Sequence, residues 1–415
     1  MTDDGKVESR EAELPTTGAL LRNPSFFILW VAGVSYGTLR WLEILSIGLH
    51  AYDKTGSPLV VAGLMIARMA PMVLLGSYVG TLADRFDRKR LLLGGLCLVI
   101  ATSATLATLA MLEELPLWAL AMGTFVSGMF FTMDLTVRRA LLGEAAGPNA
   151  IGRALALDSA TSNATRMLGP ICGGIVYEAV GLSGAYTTSA FAYVVIVALV
   201  SRLPTPGRLR DSCAESYWSS MRGALAFART SPSIVPTLSI TVIINIWAFP
   251  VLTMVPVIGR GPLELSATGV GLLASAEGAG AFLGALVLSM TVRATSYVRV
   301  YVVGSSMFLA GVIVFSLATQ ASWAWSALFV GGIGVAGFAA MQPTLIMAST
   351  PPEYRSRIMG LLTMCIGTGP LGIFHLGAMA EWLGPNTAVM VMAAEGVMVL
   401  LAVLAYWPVL RQRSL

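Results

Sequence analysis

Six ionisable side chains, Arg40, Glu43, Arg68, Asp134, Arg166 and Glu277, lie inside stretches that are otherwise apolar. Embedding such a charge in hydrocarbon costs roughly 2.5–3.5 kcal/mol on insertion scales, so each needs a partner, a polar crevice or a proton. A carboxylate stripped of water favours its neutral form, which is what taking up and releasing a proton requires. Glu43 and Glu277 are therefore the leading candidates for proton exchange, with Asp134, Arg40 and Arg68 completing that set. Arg40 and Glu43 stand three residues apart, so on one helix they could simply neutralise each other. Arg68 and Arg166 have no acidic residue within a turn and need partners from other helices, Glu43 and Asp134 among them. Asp134 also precedes Arg138 by four residues, the spacing of a local pair at a helix end. His375 stands alone in an apolar stretch and reads as a packed neutral histidine, and Glu395 is given no role.

Charge also concentrates between apolar runs. Gly80 to Arg90 reads G-T-L-A-D-R-F-D-R-K-R, eleven residues with six charges. Asp84 can pair with Arg88 one turn on and can face the positive N-terminus of a neighbouring helix. Further along, Gly169-Pro170-Ile-Cys-Gly173-Gly174 follows Arg166. There the proline removes a backbone hydrogen bond, and the glycines allow a bend and close helix packing. Trp41, Met133, Trp247, Phe249, Met341 and Gln342 are candidates for the wall of a cavity. Aromatic and methionine side chains suit a sizeable, partly apolar ligand held without close shape matching; the alternative for each is ordinary helix packing.

The elements that must hold these residues follow from composition. The chain has 415 residues, 56% hydrophobic and 12% charged. A soluble domain carries about 25% charged residues, so the solvent implied here is lipid. Twelve apolar runs of about twenty residues are expected to cross the bilayer. With the N-terminus inside, 21 Lys and Arg fall in inner segments, and only Lys54 and Arg260 fall in outer loops. That asymmetry places both termini in the cytoplasm. Trp118, Trp323, Trp325 and Trp382 fall at the outer ends, as an aromatic belt should.

The halves repeat each other. Gly76-x-x-x-Gly80 recurs as Gly280-x-x-x-Gly284, and Phe130-x-x-Met133-x-x-Thr136 as Phe338-x-x-Met341-x-x-Thr344. Arg153 recurs as Arg357, and Gly174-x-x-x-Glu178 as Gly377-x-x-x-Glu381. The expected organisation is an N-terminal tail (1–22), a six-helix half (23–203), a linker (204–231), a second six-helix half (232–409) and a short tail (410–415). A short surface helix is expected near Ser212 to Met221. Four scattered cysteines give no disulfide or zinc pattern. The polar N-terminus has no apolar core of a signal peptide, and no phosphate-binding G-x-x-x-x-G-K-[ST] loop occurs. Neither cofactor nor metal is expected.

The Gly80–Arg90 loop resembles the signature loop of the major facilitator superfamily, G-x-L-x-D-R-x-x-R-[KR]-x. The resemblance implies an all-α membrane fold of two pseudo-symmetric six-helix bundles. It also implies that Gly80, Asp84, Arg85 and Arg88 form a latch that holds the outward-open state. Gly169, Pro170, Gly173 and Gly174 resemble the G-P-x-x-G-G core of the motif marking the exporting antiporters, although Thr165 stands where that motif has a further glycine. Thr55-Gly56-Ser57-Pro58 and the Arg153–Gly174 segment, with Asn163 and Arg166, resemble the branch of siderophore exporters and macrolide efflux proteins. An arginine midway along the fourth span, common in such proton antiporters, is missing from Ala119 to Met133. The function implied is proton-coupled export of an amphipathic small molecule across a bacterial inner membrane. The chain would act as a monomer, without nucleic acid. An importer on the same scaffold, a lysolipid flippase and a membrane sensor are the alternatives.

Overall fold

Long helices account for nearly all of the chain in the computed structural model, which describes residues 17–204, 217–351 and 354–411. For residues 77, 79–85, 217–222, 224, 294, 356 and 411 it describes the backbone alone. The helices are α1 Thr17–Arg22, α2 Pro24–Thr55, α3 Pro58–Arg85, α4 Arg88–Met111, α5 Leu117–Met133 and α6 Arg139–Ala146. Then come α7 Ile151–Ser201, α8 Tyr217–Thr230, α9 Ile234–Trp247, α10 Val251–Arg260 and α11 Ala267–Thr291. The last five are α12 Tyr297–Ser316, α13 Ala321–Ala348, α14 Arg355–Ile366, α15 Gly369–Leu383 and α16 Pro385–Tyr406. A π-helical turn, Asp134–Arg138, joins α5 to α6.

Local chemistry sets the boundaries. Asn23 caps α2 by accepting from the Ser25 and Phe26 amides, and Asp87 caps α4 through the Arg90 amide. Gly56 ends α2 in the left-handed region at φ 65°, a conformation that costs glycine nothing. Gly181 takes φ 65° and ψ −165° inside the 51-residue α7 and divides it into two arms. The linker expected over 204–231 contains α8, which begins at Tyr217. The first part of the short helix expected there, and residues 1–16 of the expected tail, lie outside the described residues.

Among the described residues, ten helical stretches are long and apolar enough to cross a membrane, against the twelve expected. The difference has a physical origin. The charged α2, with Arg40, Glu43, Asp53 and Lys54, is not among the ten, and α7 counts once despite its break.

Among α1–α7, the first half of the chain, α2 and α4 pack on α7, and α3 packs on α5; among α8–α16, the second half of the chain, α13 packs on α11 and α12, and α16 on α9 and α12. The halves meet where α7 lies on α11, α3 on α15 and α2 on α10. A matching close approach recurs in each. Gly128 of α5 sits on the Arg68 carbonyl of α3, and Gly332 of α13 sits on the Glu277 carbonyl of α11, with no room for a side chain at either place.

The two ends of the molecule differ. At one, called here the Gly56 end, Lys54 donates to the Leu115 carbonyl (2.7 Å) and Ser57 to Glu381 (2.7 Å). At the other, the Gly147 end, Asn23 donates to the Ala145 carbonyl (2.8 Å) and Lys89 to the Ser201 carbonyl (2.8 Å). One apolar core joins the halves toward the Gly56 end: Leu45, Leu49, Val61, Leu120 and Tyr186 share it with Val255, Ile258, Val270 and Leu376. Toward the Gly147 end the first half keeps a separate core around Phe26, Leu29, Leu96 and Leu142. The second half has another there, around Ile234, Ile346 and Ile358. Among the described residues, apolar packing therefore joins the halves at the Gly56 end, and each half has a core of its own at the other.

Candidate functional site

Arg166 and Glu277 meet across the halves. Arg166 Nη2 of α7 lies 2.7 Å from Glu277 Oε1 of α11, with the carboxylate buried and the guanidinium about one-fifth exposed. Both helices can come this close because Gly278 lies against the Arg166 main chain, where a Cβ would stand 2.8 Å from the carbonyl. The guanidinium also lies over the rings of Trp41 (5.6 Å) and Phe249 (5.8 Å), one from each half. Beside it is a cavity of about 40 Å³ lined by Trp41, Ile44, Pro170, Leu252, Pro256 and the pair itself. That is room for about one water and no larger ligand.

The glycine motif builds this junction. A Cβ on Gly169 would stand 2.5 Å from that of Trp41, and one on Gly173 2.9 Å from the Leu42 Cα, so α2 rests on this face of α7. Gly174 turns the other way, against the Ala267 carbonyl at 2.5 Å, and Gly271 of α11 approaches the Pro170 carbonyl. The motif thus packs α7 between its own half and the other.

Glu43 is enclosed within the first half. It accepts from Ser127 Oγ of α5 (2.9 Å) and from the Tyr193 hydroxyl in the second arm of α7 (3.1 Å). Arg68 of α3 lies 4.0 Å away and donates to the same Ser127 Oγ (3.2 Å). Arg68 meets Glu43, one of the two partners named from the sequence; Arg166 meets neither of those two but Glu277. Arg40 does not pair with Glu43: it lies over Phe131 (4.4 Å) and Trp41 (4.8 Å). Asp134 joins Arg138, whose Nη1 also reaches Asp158 at 2.8 Å, and Arg139 Nε lies 3.0 Å from Asp158. This buried cluster includes Asp158, which the sequence reading assigns to the inner rim near the latch without naming its partners.

At the Gly56 end the halves cap each other. Glu178 Oε2, at the end of the first arm of α7, accepts from the Thr268 amide at the start of α11 (2.7 Å). Glu381 Oε2, at the end of α15, accepts from Ser57 Oγ (2.7 Å) and the Leu59 amide at the start of α3 (3.3 Å). Each carboxylate answers the unsatisfied amides and positive dipole of a helix start in the opposite half. The repeat Gly174…Glu178 and Gly377…Glu381 flagged these residues; their shared task needed the structure. Asp53 adds Arg260 (3.1 Å) and Tyr177 (3.2 Å) to the same seal.

The remaining candidates are placed as follows. Gly80, Asp84 and Arg85 end α3, and their side chains lie outside those described; Arg88 pairs with Glu144 of α6. Met133 packs at Gly95, and Phe249 packs edge-on to Phe308 (5.2 Å). Met341 is buried, and Gln342 is buried donating to Thr241 (2.9 Å). Trp247 turns to α16, donating to Glu395 (3.0 Å), which also meets His375 at 3.0 Å. His375 is thus not solitary, contrary to the sequence reading, because its partner sits on the neighbouring helix. Gly280 and Gly284 pack on α13, whereas nothing approaches Gly76. Among the described residues, no group of three or more His, Cys, Asp or Glu is placed to hold a metal.

A family model described as transmembrane secretion effector (MFS_3) matches residues 16–413. The MFS-type transporter YfiS of Bacillus subtilis is 25% identical over 400 residues, spanning 90% of this chain and 91% of that protein. Macrolide efflux protein A of Streptococcus pyogenes is 20% identical over 372 residues, spanning 87% and 90%. Among solved structures, the nucleoside transporter NupG superposes with a TM-score of 0.68 at 12% identity, covering 92% of this chain and 98% of that one. A bacterial homologue of the lysosomal transporter Spinster, inward-facing and unoccupied, gives 0.66 at 14% identity, covering 93% and 95%. These likenesses establish the fold, and with the family match over nearly the whole length the conclusion is plain: the chain belongs to the major facilitator superfamily and is a multi-pass membrane transporter, not an enzyme.

Proposed function

We propose that this protein is a secondary active transporter that exports an amphipathic small molecule in exchange for protons, by alternating access between two six-helix halves. Counting α2 as a crossing and dividing α7 at Gly181 brings the ten stretches to twelve. The halves are then 23–203 and 232–409, joined by 204–231. The excess of Lys and Arg at the Gly147 end puts that end and both termini in the cytoplasm of a bacterial inner membrane. The conformation is then closed outside and open inside.

The observation that carries the reading is the reciprocal capping of α11 by Glu178 and of α3 by Glu381. Contacts of this kind between halves, found among the described residues at the Gly56 end, are what a rocking movement must break and remake. Substrate entering from the cytoplasm meets Arg40, Phe131 and Trp41 and competes for Arg166, whereas Met133 is turned away against α4. Once Arg166 leaves Glu277 the outer end opens, and Glu277, with Glu43, takes up protons from outside. Release of those protons inside restores the pair. Asp84 and Arg88 latch the opposite state. The protein acts as a monomer.

A macrolide is the first compound to test, because efflux relatives carry that name. Inside-out vesicles with an imposed proton gradient should accumulate it, and collapse of the gradient should release it. Accumulation only by right-side-out vesicles identifies an importer, and movement of a labelled lysolipid alone identifies a flippase; either overturns export of this substrate class.

A further inference from the structure

We propose that the first half holds a file of bound water from the Gly56 end to Glu43, delivering protons to that carboxylate by a route separate from the substrate cavity. The proposal rests on the proton-exchange reading above and supplies its path. Five polar atoms at nine-tenths-buried residues have no protein partner: Tyr36 Oη, Ser46 Oγ, Arg68 Nη2, Tyr186 Oη and Ser189 Oγ. All belong to the first half: Arg68 lies 4.0 Å from Glu43, Ser46 follows Glu43 by three residues on α2, Tyr186 and Ser189 precede its partner Tyr193 on α7, and Tyr36 stands two turns back on α2, on the Gly147 side. In the second half, among the described residues, Asn386 Oδ1 is likewise unpartnered, while Arg260 Nε makes no hydrogen bond but lies 3.1 Å from Asp53 Oδ1 in an ion pair.

Helix periodicity puts these atoms in line. Tyr36, Glu43, Ser46 and His50 fall on one stripe of α2, at steps of seven, three and four residues. Trp41, Ile44 and Leu45, which line the small cavity at the Arg166–Glu277 pair, fall on another face. On α7, Tyr186 and Ser189 precede Tyr193 by seven and four residues, two turns and one turn back along the same face. The hydrogen bond from Tyr193 to Glu43 fixes the register between the helices. Ser46 therefore stands about 4.5 Å beyond Glu43 toward the Gly56 end, and Ser189 about 6 Å beyond Tyr193 in the same direction. His50 Nε2, half-buried and also unpartnered, stands at the mouth of the file.

These hydroxyls are exceptional in this molecule. The buried Thr124, Thr132, Thr241 and Ser305 each donate to the carbonyl four residues back. Ser46 and Ser189 do not, although the same acceptor is within reach of any helical serine. Buried polar groups in folded chains are almost always satisfied, and a bound water typically makes about three hydrogen bonds to groups of this kind. The groups acting on Glu43 are Arg68 from α3, Ser127 from α5 and Tyr186 and Tyr193 from α7, with Tyr36 on α2 itself; Arg40 lies over Phe131 and Trp41 instead. The Asp134–Arg138–Asp158 cluster lies farther toward the Gly147 end. A chain of hydroxyls and waters so placed can pass a proton with no group but Glu43 holding it.

The test is infrared spectroscopy of the full-length protein in lipid bilayers, which requires no substrate. Glu43→Gln identifies the carboxylic acid band of Glu43, and the rate at which that band shifts in D₂O reports its access to water. Ser46→Ala, Tyr186→Phe and Ser189→Ala combined should slow the shift on the order of tenfold, equivalent to about 1.4 kcal/mol on the barrier. An unchanged rate overturns the route while leaving proton exchange at Glu43 standing. Absence of any band removed by Glu43→Gln overturns both. Thermal melting of the triple variant is an independent check. Hydroxyls buried dry raise the melting temperature when removed, so a rise contradicts the proposal; an unchanged or lower value agrees with it.

Discussion

Neutralising Glu277 should open the Gly56 end. Glu277→Gln keeps the shape and one acceptor for Arg166 but removes the charge attraction across the halves. Breaking a buried ion pair costs about 3–5 kcal/mol, and losing a hydrogen bond to a charged group about 1.5–3 kcal/mol. Arg166 is one-fifth exposed and retains a neutral partner, which selects a value of roughly 2–3 kcal/mol. The pair spans the halves, so that energy is lost from the closed form alone. The equilibrium should shift by roughly 30- to 150-fold. From a wild-type open population of about one in a hundred, the variant reaches between roughly a quarter and three-fifths open. Spin labels on Leu112→Cys and Leu317→Cys, exposed positions at the Gly56 end of opposite halves, read this as a second, longer distance. The native cysteines must first be replaced. Arg166→Glu with Glu277→Arg should restore most of the short distance. A folded Glu277→Gln variant with the wild-type distribution would refute the role given to the pair.

Four further outcomes are expected. Arg138→Leu leaves Asp134 and Asp158 buried together, with only Arg139 to compensate. It should lower stability by about 3 kcal/mol, read as a fall in melting temperature in detergent. Gly174→Val places a side chain on the Ala267 carbonyl, so it should lower stability by about 1–3 kcal/mol, read as a fall in melting temperature, and slow transport; a wild-type melt with full turnover would contradict the packing. Glu178→Gln with Glu381→Gln should increase thiol labelling of a cysteine at Ser57, more in the double variant than in either single one. Asp84→Asn should leave insertion intact but slow turnover in the vesicle assay, and unchanged turnover removes the latch.

Much of the site was legible as a set of residues and little of it as a geometry. Each embedded charge announced itself by its cost in lipid, so Glu43, Arg68, Arg166 and Glu277 could be singled out from composition alone. Who meets whom depends on helices distant in sequence: Arg166 and Glu277 are 111 residues apart. Spacing suggested Arg40 with Glu43, yet Glu43 turns into the first half while Arg40 lies over Phe131. Spacing succeeded where the contact is local, as with Asp134 and Arg138; Asp158 could be assigned to the inner rim, but its pairing with Arg138 from another helix could not be read. The repeat of Gly174…Glu178 as Gly377…Glu381 was visible, but capping depends on which helix start each carboxylate meets. Met341 and Gln342 sit at positions expected to line a cavity; their burial reflects a hydroxyl, Thr241, that satisfies Gln342 inside the second half.

The most direct measurement concerns the seal. With cysteines at Ser57 and Glu381 joined by a short reducible cross-linker, α15 is tied to the start of α3, and uptake of the test macrolide by inside-out vesicles is followed before and after reduction. Alternating access predicts that joining the two stops transport and that reduction restores it. Transport at the full rate with the link intact would show that these halves need not part at the Gly56 end.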